Sequence, residues 1–280
     1  PERLPPPFSY FHTYCLYLWH HRETARNAIL EIFTGLYCAM HLSIIIPAFN
    51  EAQLIERCLR SVTGALTAHP APGVTWEIIV ADNNSTDDTA CLAKQAGAQV
   101  VFEPINQIGR ARNAGAAVAT GDWLLFVDAD SVLSPELLAD ILHVIQSETS
   151  VGCGSTLSMP GLPWWADGIL RFWTQMSVLL HWAAGALFVC RRDAFVEVGG
   201  FSQELYALEE IDLSKRIRKW GRQRNLEFII LTTHPLGTSP RKISLYSARE
   251  IAGQILRMLL NRRRTLTDKK HLSVWYDGRR

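Results

Sequence analysis

The chain has 280 residues, 48% of them hydrophobic and 20% charged, and its 28 Lys and Arg nearly balance its 27 Asp and Glu for a formal net charge of +1. That composition excludes a disordered, collagenous or coiled-coil chain, and the charge balance creates no demand for a nucleic-acid partner. A domain of this length buries roughly 70–75% of its unfolded surface, so it needs neither metal nor disulfide to hold a core.

Residues 1–39 read differently from the rest, with eight of the 27 aromatics, a proline run and no sustained helical or strand period. Met40 stands directly before the apolar run His41-Leu-Ser-Ile-Ile-Ile-Pro47. One expectation is therefore that Met40 is the natural start and that residues 1–39 are an upstream or fused extension. Its rival is an aromatic-rich membrane anchor. No basic start leading into an apolar run marks a secretory leader.

From residue 42 onwards apolar runs and helical spacings alternate. Strands are expected at 42–47, 76–81, 99–103 and 123–127, with helices at 54–66, 89–96, 110–119 and 135–147. Such alternation implies a doubly wound, mostly parallel α/β sheet flanked by helices. Ligands bind such sheets beyond the carboxyl ends of the strands. Three polar clusters fall there: residues 48–51, 82–88 and 128–130. Further on, strands are expected at 151–157, 186–190 and 228–232, a helical turn at 192–198 and a helix at 209–220. A long basic amphipathic helix is expected at 243–264, carrying Ile251, Ile255, Met258 and Leu259 in one stripe and Arg262, Arg263 and Arg264 at its end. That helix is a candidate for peripheral membrane contact. The stretch 165–190 is the longest candidate span, but Asp167, Arg171 and His181 interrupt it. The six cysteines form no CxxC pair, so they read as free thiols of a reducing compartment. The expected location is the cytoplasm.

Asp128-Ala-Asp130 follows the apolar run Leu124-Leu-Phe-Val. Two hard carboxylates at this spacing suit Mg²⁺ or Mn²⁺. The turn Asp82-Asn83-Asn84-Ser85-Thr86-Asp87 is rich in side-chain acceptors. Asp82 can accept a hydrogen bond from a nucleobase, and Ser85, Thr86 or Asp87 can cap the next helix. In Gly109-Arg110-Ala-Arg112-Asn113 small residues open a helix, where Arg can clamp phosphate. Glu209, Glu210 and Asp212 crowd a helix start, either as complements to the helix dipole or as a general base with a supporting acid. Indoles stack on sugar faces, so the Trp-rich stretch 164–182 is the expected acceptor surface, with packing in the core as the alternative at this helical spacing.

Taken together, Ser43-Ile-Ile-Ile-Pro-Ala-Phe-Asn-Glu51, Asp82 to Asp88, Gly109 to Asn113, Phe126-Val-Asp-Ala-Asp130 and Glu209-Glu-Ile-Asp-Leu resemble, in order and spacing, the family 2 glycosyltransferases of the GT-A fold. The resemblance covers about residues 42–235. It implies inverting transfer from a nucleotide-diphospho-sugar to an acceptor hydroxyl, a divalent cation, and a role in envelope glycans. Pro47, Ala48, Phe49 and Glu51 then pack under the nucleoside and Asp82 reads the base. Asn84, Gly109, Arg112, Asn113 and Asp128 line the donor, and Asp128 and Asp130 hold the metal. His234 is a candidate third ligand. Glu210 falls on the base position, where the family most often has Asp; Glu209 and Asp212 flank it. A lipid-linked acceptor is one expectation. Residues 40–242 make the transferase domain (donor half 40–132, acceptor half 133–242), and 243–280 a basic helical tail. Two alternatives compete. A haloacid-dehalogenase-type phosphohydrolase would use Asp128 and Asp130, and a catalytically silent sugar-nucleotide binder is suggested by Glu210.

Overall fold

A computed structural model describes residues 40–183, 185–260 and 262–272. By its internal contacts the chain divides into Pro1–Ala39 with Pro72–Val74, and Met40–Ala71 with Thr75–Arg280. The expected extension 1–39 lies outside the described residues; the second unit carries the fold that follows, and it includes the helical tail after residue 242.

Strands and helices alternate through the first half: β1 (Met40–Ala48), α1 (Ile55–Ala68), β2 (Val74–Asp82), α2 (Thr89–Gln95), β3 (Gln99–Phe102), α3 (Ile108–Val118) and β4 (Trp123–Val127). There follow β5 (Ser131–Val132), α4 (Pro135–Gln146), β6 (Ser150–Ser158), α5 (Trp164–Leu180), β7 (Leu187–Arg191), α6 (Arg192–Glu197), α7 (Glu209–Arg222) and β8 (Glu227–Thr238). The eight-stranded sheet runs β3-β2-β1-β4-β7-β6-β8-β5. β1 pairs parallel with β4, β2 with β3 and β6 with β8, whereas β7 is antiparallel to both its neighbours and β5 to β8. Because β7 reverses direction between β4 and β6, those two strands point the same way. Their carboxyl ends therefore share one edge of the sheet.

The central strands are continuous apolar runs because both faces are covered. Phe126, Phe188, Phe195, Phe201 and Phe228 form a buried aromatic cluster, with Phe126 and Phe201 edge to face at 5.0 Å. Gly115 brings α3 onto β1: a Cβ there would come well inside van der Waals contact distance of Ile45 Cγ2. Ser134 caps α4 by accepting the Leu137 N–H, and Pro135 opens its first turn.

The tail departs from expectation. In place of one helix over 243–264 there are α8 (Arg241–Ser244), α9 (Ala248–Leu260) and α10 (Arg262–Thr267), then a 3₁₀ turn at Lys269–His271. A reciprocal capping box sets the new start of α9: Ser247 N–H donates to Glu250 Oε2 and Glu250 N–H to Ser247 Oγ. Part of its stripe faces the domain, since Gln254 is buried and Met258 packs beside Leu266 and Leu272. The side chains of Ile255, Leu259, Arg262, Arg263 and Arg264 lie outside the described residues.

Candidate active site

The ends of β1 and β2 are stitched together by side chains. Asn50 sits at φ 51°, a left-handed conformation that Asn tolerates. Its N–H donates to Ser85 Oγ, and its Oδ1 accepts the Thr86 N–H. Glu51 N–H donates to Thr89 Oγ1 and Ala52 N–H to Asp87 Oδ2. Asp87 also accepts the Thr89 N–H at the start of α2, although the N-cap itself falls on Asp88, one residue past the three expected, and makes no side-chain cap bond. Burial opposes its charge, but these hydrogen bonds hold its carboxyl below the usual range. Pro47 and Ala48 are buried at the end of β1, and Phe49 is half-buried beyond them. Asp82 is buried and accepts the Ser85 N–H, while Asn84 is exposed at φ 65°.

Asn83 was not among the expected site residues, yet it organises the next loop. Buried to 3% exposure, it donates to the carbonyls of Glu103 and Ile105 and accepts the Gln107 N–H. Gln107 in turn donates to the carbonyls of Gln203 and Leu205. These two amides tie the start of α3 to the segment that leads into α7. In sequence they resemble ordinary turn residues, and only their long-range partners reveal them.

At the end of β4, Asp128 meets Arg112. The Arg112 guanidinium donates to Asp128 Oδ1 at 2.8 Å and to Glu209 Oε1 at 2.7 Å, and its Cζ lies 5.1 Å from the centre of the Phe201 ring. Arg112 was expected to clamp phosphate; instead it is buried, bridging the β4 end to the first residue of α7. Burial alone would disfavour its charge, but Asp128, Glu209 and Glu210 more than offset that. Gly109 and Asn113 also turn towards the protein. A Cβ on Gly109 would meet the Ser202 carbonyl at 3.2 Å. Asn113 makes a two-way amide pair with the backbone of Phe201. This face of α3 therefore positions the 200–209 segment.

Leu208 precedes Glu209 at φ 60°, an unfavourable conformation for a bulky residue and one that persists only where surroundings impose it. Glu210 is half-buried, yet its Oε2 is sealed off with no hydrogen-bond partner among the described residues. Burial, then the neighbouring Glu209 carboxylate, push its pKa up to about 8, with Arg112 opposing. Asp212 accepts two hydrogen bonds from Arg216 one turn on, which makes it a helix stabiliser facing away from Glu210.

Asp130 accepts a hydrogen bond from Thr238 Oγ1 at 3.4 Å, and its carbonyl accepts the Ser239 N–H. Thus the end of β8 reaches the aspartate pair, but His234 does not. Leu231 opposes Ser155 and Leu236 opposes Leu157, so residues 232–235 bulge out of the ladder. There His234 Nδ1 lies 2.8 Å from Asp140 Oδ2, some 13 Å of strand short of Thr238 at ~3.3 Å per residue. Arg241, from α8, pairs with buried Glu51 and so ties α8 to the end of β1. Among the described residues no three His, Cys, Asp or Glu side chains converge as a metal site. Asp128 and Asp130 can offer hard oxygen ligands, a pair that suits a cation completed by phosphate oxygens and water. Two strands away from β4, a cleft of about 520 Å³ opens between β6 and α5, lined by Thr156, Ser158, Asp167, Arg171, Thr174 and Gln175 among others.

Residues 43–195 match the model of glycosyl transferase family 2. An uncharacterised glycosyltransferase of Mycobacterium tuberculosis is 28% identical over 204 residues, covering 65% of this chain and 88% of its own. Another, from Rickettsia prowazekii, is 36% identical over 107 residues, 38% of this chain and 33% of its own. Among solved structures, Staphylococcus aureus TarS 1–349 with UDP-GlcNAc superposes with a TM-score of 0.57 at 18% identity, covering 85% of this chain and 71% of that one. Glucosyl-3-phosphoglycerate synthase of M. tuberculosis, with Mn²⁺, UDP-glucose and phosphoglyceric acid, gives 0.53 at 20% identity, covering 82% and 81%. The chain spans 44% of a longer TarS structure. These likenesses establish the GT-A fold, and the phosphohydrolase alternative falls with them. With more than half its length matched by one family model, and the β-strand ends bearing that family's motifs in order, the chain is a member of glycosyl transferase family 2.

Proposed function

We propose that the protein transfers a sugar from a nucleotide-diphospho-sugar to an acceptor hydroxyl with inversion, assisted by Mn²⁺ or Mg²⁺, and with Glu210 as general base. The observation that carries this reading is the Arg112 bridge, which brings the Asp128 end of β4 and the Glu209-Glu210 start of α7 to one guanidinium. Donor-binding and proton-accepting groups are thereby held on one rigid scaffold. Solved neighbours complexed with UDP-GlcNAc, or with UDP-glucose and Mn²⁺, support a uridine nucleotide donor.

The chemistry follows from charge. Asp82 and the 47–51 turn hold the nucleoside, and Asp128 and Asp130 would hold a cation. Bound there, it would neutralise charge building on the departing diphosphate, a contribution of several kcal/mol. Glu210 accepts the acceptor hydroxyl proton as the oxygen bonds to the anomeric carbon and the carbon–oxygen bond to the diphosphate breaks on the opposite face. A carboxylate of pKa near 8 is a stronger base than an ordinary Glu, and such tuning by burial is how carboxylates serve near neutral pH. General base help is typically worth about 10²–10⁴-fold.

A thermal-shift panel of nucleotide sugars, each with Mn²⁺, Mg²⁺ or EDTA, tests the proposal. A donor at a hundredfold excess over its Kd stabilises the fold by about 2.7 kcal/mol, and that gain should vanish in EDTA. No shift with any nucleotide sugar would overturn it. A shift without product in an acceptor screen would favour the silent binder.

A further inference from the structure

We propose that α5 is a membrane-docking helix whose apolar flank lies in the interface of an anionic phospholipid surface. Trp165, Ile169, Phe172, Met176 and Leu179 recur at i, i+4, i+7, i+11 and i+14, so they form one stripe about 21 Å long, with Trp164 beside its first member. Trp165 and Met176 are half-buried, and the rest of the stripe is exposed. Trp164 is 87% exposed, Phe172 64% and Leu179 73%, while only Ala166 and Ser177 of the whole helix are buried. Single exposed apolar residues are commonplace; a contiguous aromatic and aliphatic flank is an interaction surface.

Charge decides which surface it fits. The ionisable side chains of α5, Asp167 and Arg171, pair with each other at 2.8 Å; they follow Trp164 at i+3 and i+7, on its side of the helix and off the Trp165 to Leu179 stripe. Around its carboxyl end stand cations from α7. Lys215 Nζ lies 4.5 Å above the Trp182 ring, Arg218 donates to the Leu180 carbonyl, and Arg222 shares a cleft with Arg218 and His181. None of these three cations is ion-paired among the described residues. Glu227 is the acidic residue in that cleft. Apolar and indole side chains flanked by unpaired Lys and Arg match an anionic lipid interface, where Trp sits at headgroup depth and each cation adds attraction. A second copy fits less well, because a stable dimer uses about 20–30 residues a side and the stripe offers six apolar side chains. No helix among the described residues is long and apolar enough to cross a membrane, so the contact lies in the plane. The inference does not depend on the transfer reaction.

Flotation of the full chain tests it, with vesicles of phosphatidylcholine alone or mixed with phosphatidylglycerol, at low and high salt. The wild type should bind anionic vesicles about tenfold or more over neutral ones, with the difference shrinking in salt. Trp164→Ser with Phe172→Ser and Leu179→Ser should abolish binding without lowering the thermal midpoint, since those side chains touch little. Lys215→Gln with Arg222→Gln should equalise the two lipids. Negligible flotation of the wild type would overturn the proposal. So would flotation that survives the Ser substitutions but is lost on Arg262→Gln, Arg263→Gln and Arg264→Gln, since that places contact on the tail. A dimer, seen by light scattering and dissolved by the same Ser substitutions, would assign the flank to a second copy instead.

Discussion

Burial, with the Glu209 carboxylate beside it, pushes the Glu210 pKa up to about 8 and so favours its neutral form. Glu210→Gln copies that neutral form, so donor affinity should persist while release of nucleotide diphosphate falls by about 10² or more. Wild-type turnover should climb with pH towards about 8, where the carboxylate forms. Stability runs the other way. A carboxyl whose pKa is raised by folding favours the native state below its unfolded pKa of about 4.3 and loses that contribution as pH rises through about 8. Scanning calorimetry in EDTA should show Glu210→Gln with a higher midpoint than wild type at pH 9 and little difference at pH 4. Asp130→Ala should leave the fold intact, because the residue lies in a turn beyond the sheet, yet abolish Mn²⁺-dependent donor binding by titration calorimetry. Unchanged affinity would remove Asp130 from the cation. Arg112→Met should be the most damaging single change at the site. It strands Asp128 and Glu209, and breaking a buried charge network costs about 3–5 kcal/mol. Urea unfolding reads that directly, and Arg112→Lys should recover only part, since one ammonium cannot fork between both carboxylates.

At the scale of elements, the first half of the fold was legible because parallel strands buried on both faces are written as unbroken apolar runs. Ile44, Ile45 and Ile46 of β1 and Leu124 to Val127 of β4 leave no other reading. Beyond β4 the signal weakens for physical reasons. The polar Thr232-Thr233-His234 and Pro235 hid the far half of β8, whose bulge places them outside the ladder. Ser247 and Glu250 resembled helix-surface residues and proved to be a helix start. Acidic residues that follow a strand, Asp82, Asp128 and Asp130, stand out in the sequence because the apolar run stops at them. Arg112 was found with the wrong partner, since Asp128 and Glu209 lie 16 and 97 residues away. Asn83 belongs to this scale, because its amide holds a whole loop. Asn83→Ala removes the partner of the Glu103 and Ile105 carbonyls and leaves the buried Gln107 N–H unmatched, the last at about 1–3 kcal/mol. The measurable result should be a lower thermal midpoint together with faster hydrogen exchange at the start of α3.

Across the whole molecule the tail works as a second fastening for the site. Tyr206 N–H donates to the Leu266 carbonyl, and Leu266 and Leu272 pack with Ala207 in a satellite core. Leu208, in its strained conformation, lies against that core. Leu272→Ala should cost about 2–5 kcal/mol if the cluster stays formed, as for other buried leucines. Because the cluster is small, local release is the easier escape. Exchange at residues 204–208 should then accelerate while β1 and β4 stay protected. Uniform acceleration everywhere would mean that the tail and the sheet unfold as one unit.

The cysteines supply a clock for such openings. Cys91 is exposed on α2, beside the turn from Asp82 to Asp88, whereas Cys58, Cys153 and Cys190 are buried. Burial, reinforced by Asp130, Asp128 and Glu51, pushes the Cys58 thiol far above its ordinary range, and its Sγ lies 3.6 Å from the Asp128 carbonyl. A maleimide should therefore label Cys91 at once and Cys58 only when α1 swings away from the aspartate loop. The delay between the two, timed by mass spectrometry with and without donor, would convert a static burial pattern into the lifetime of the closed site.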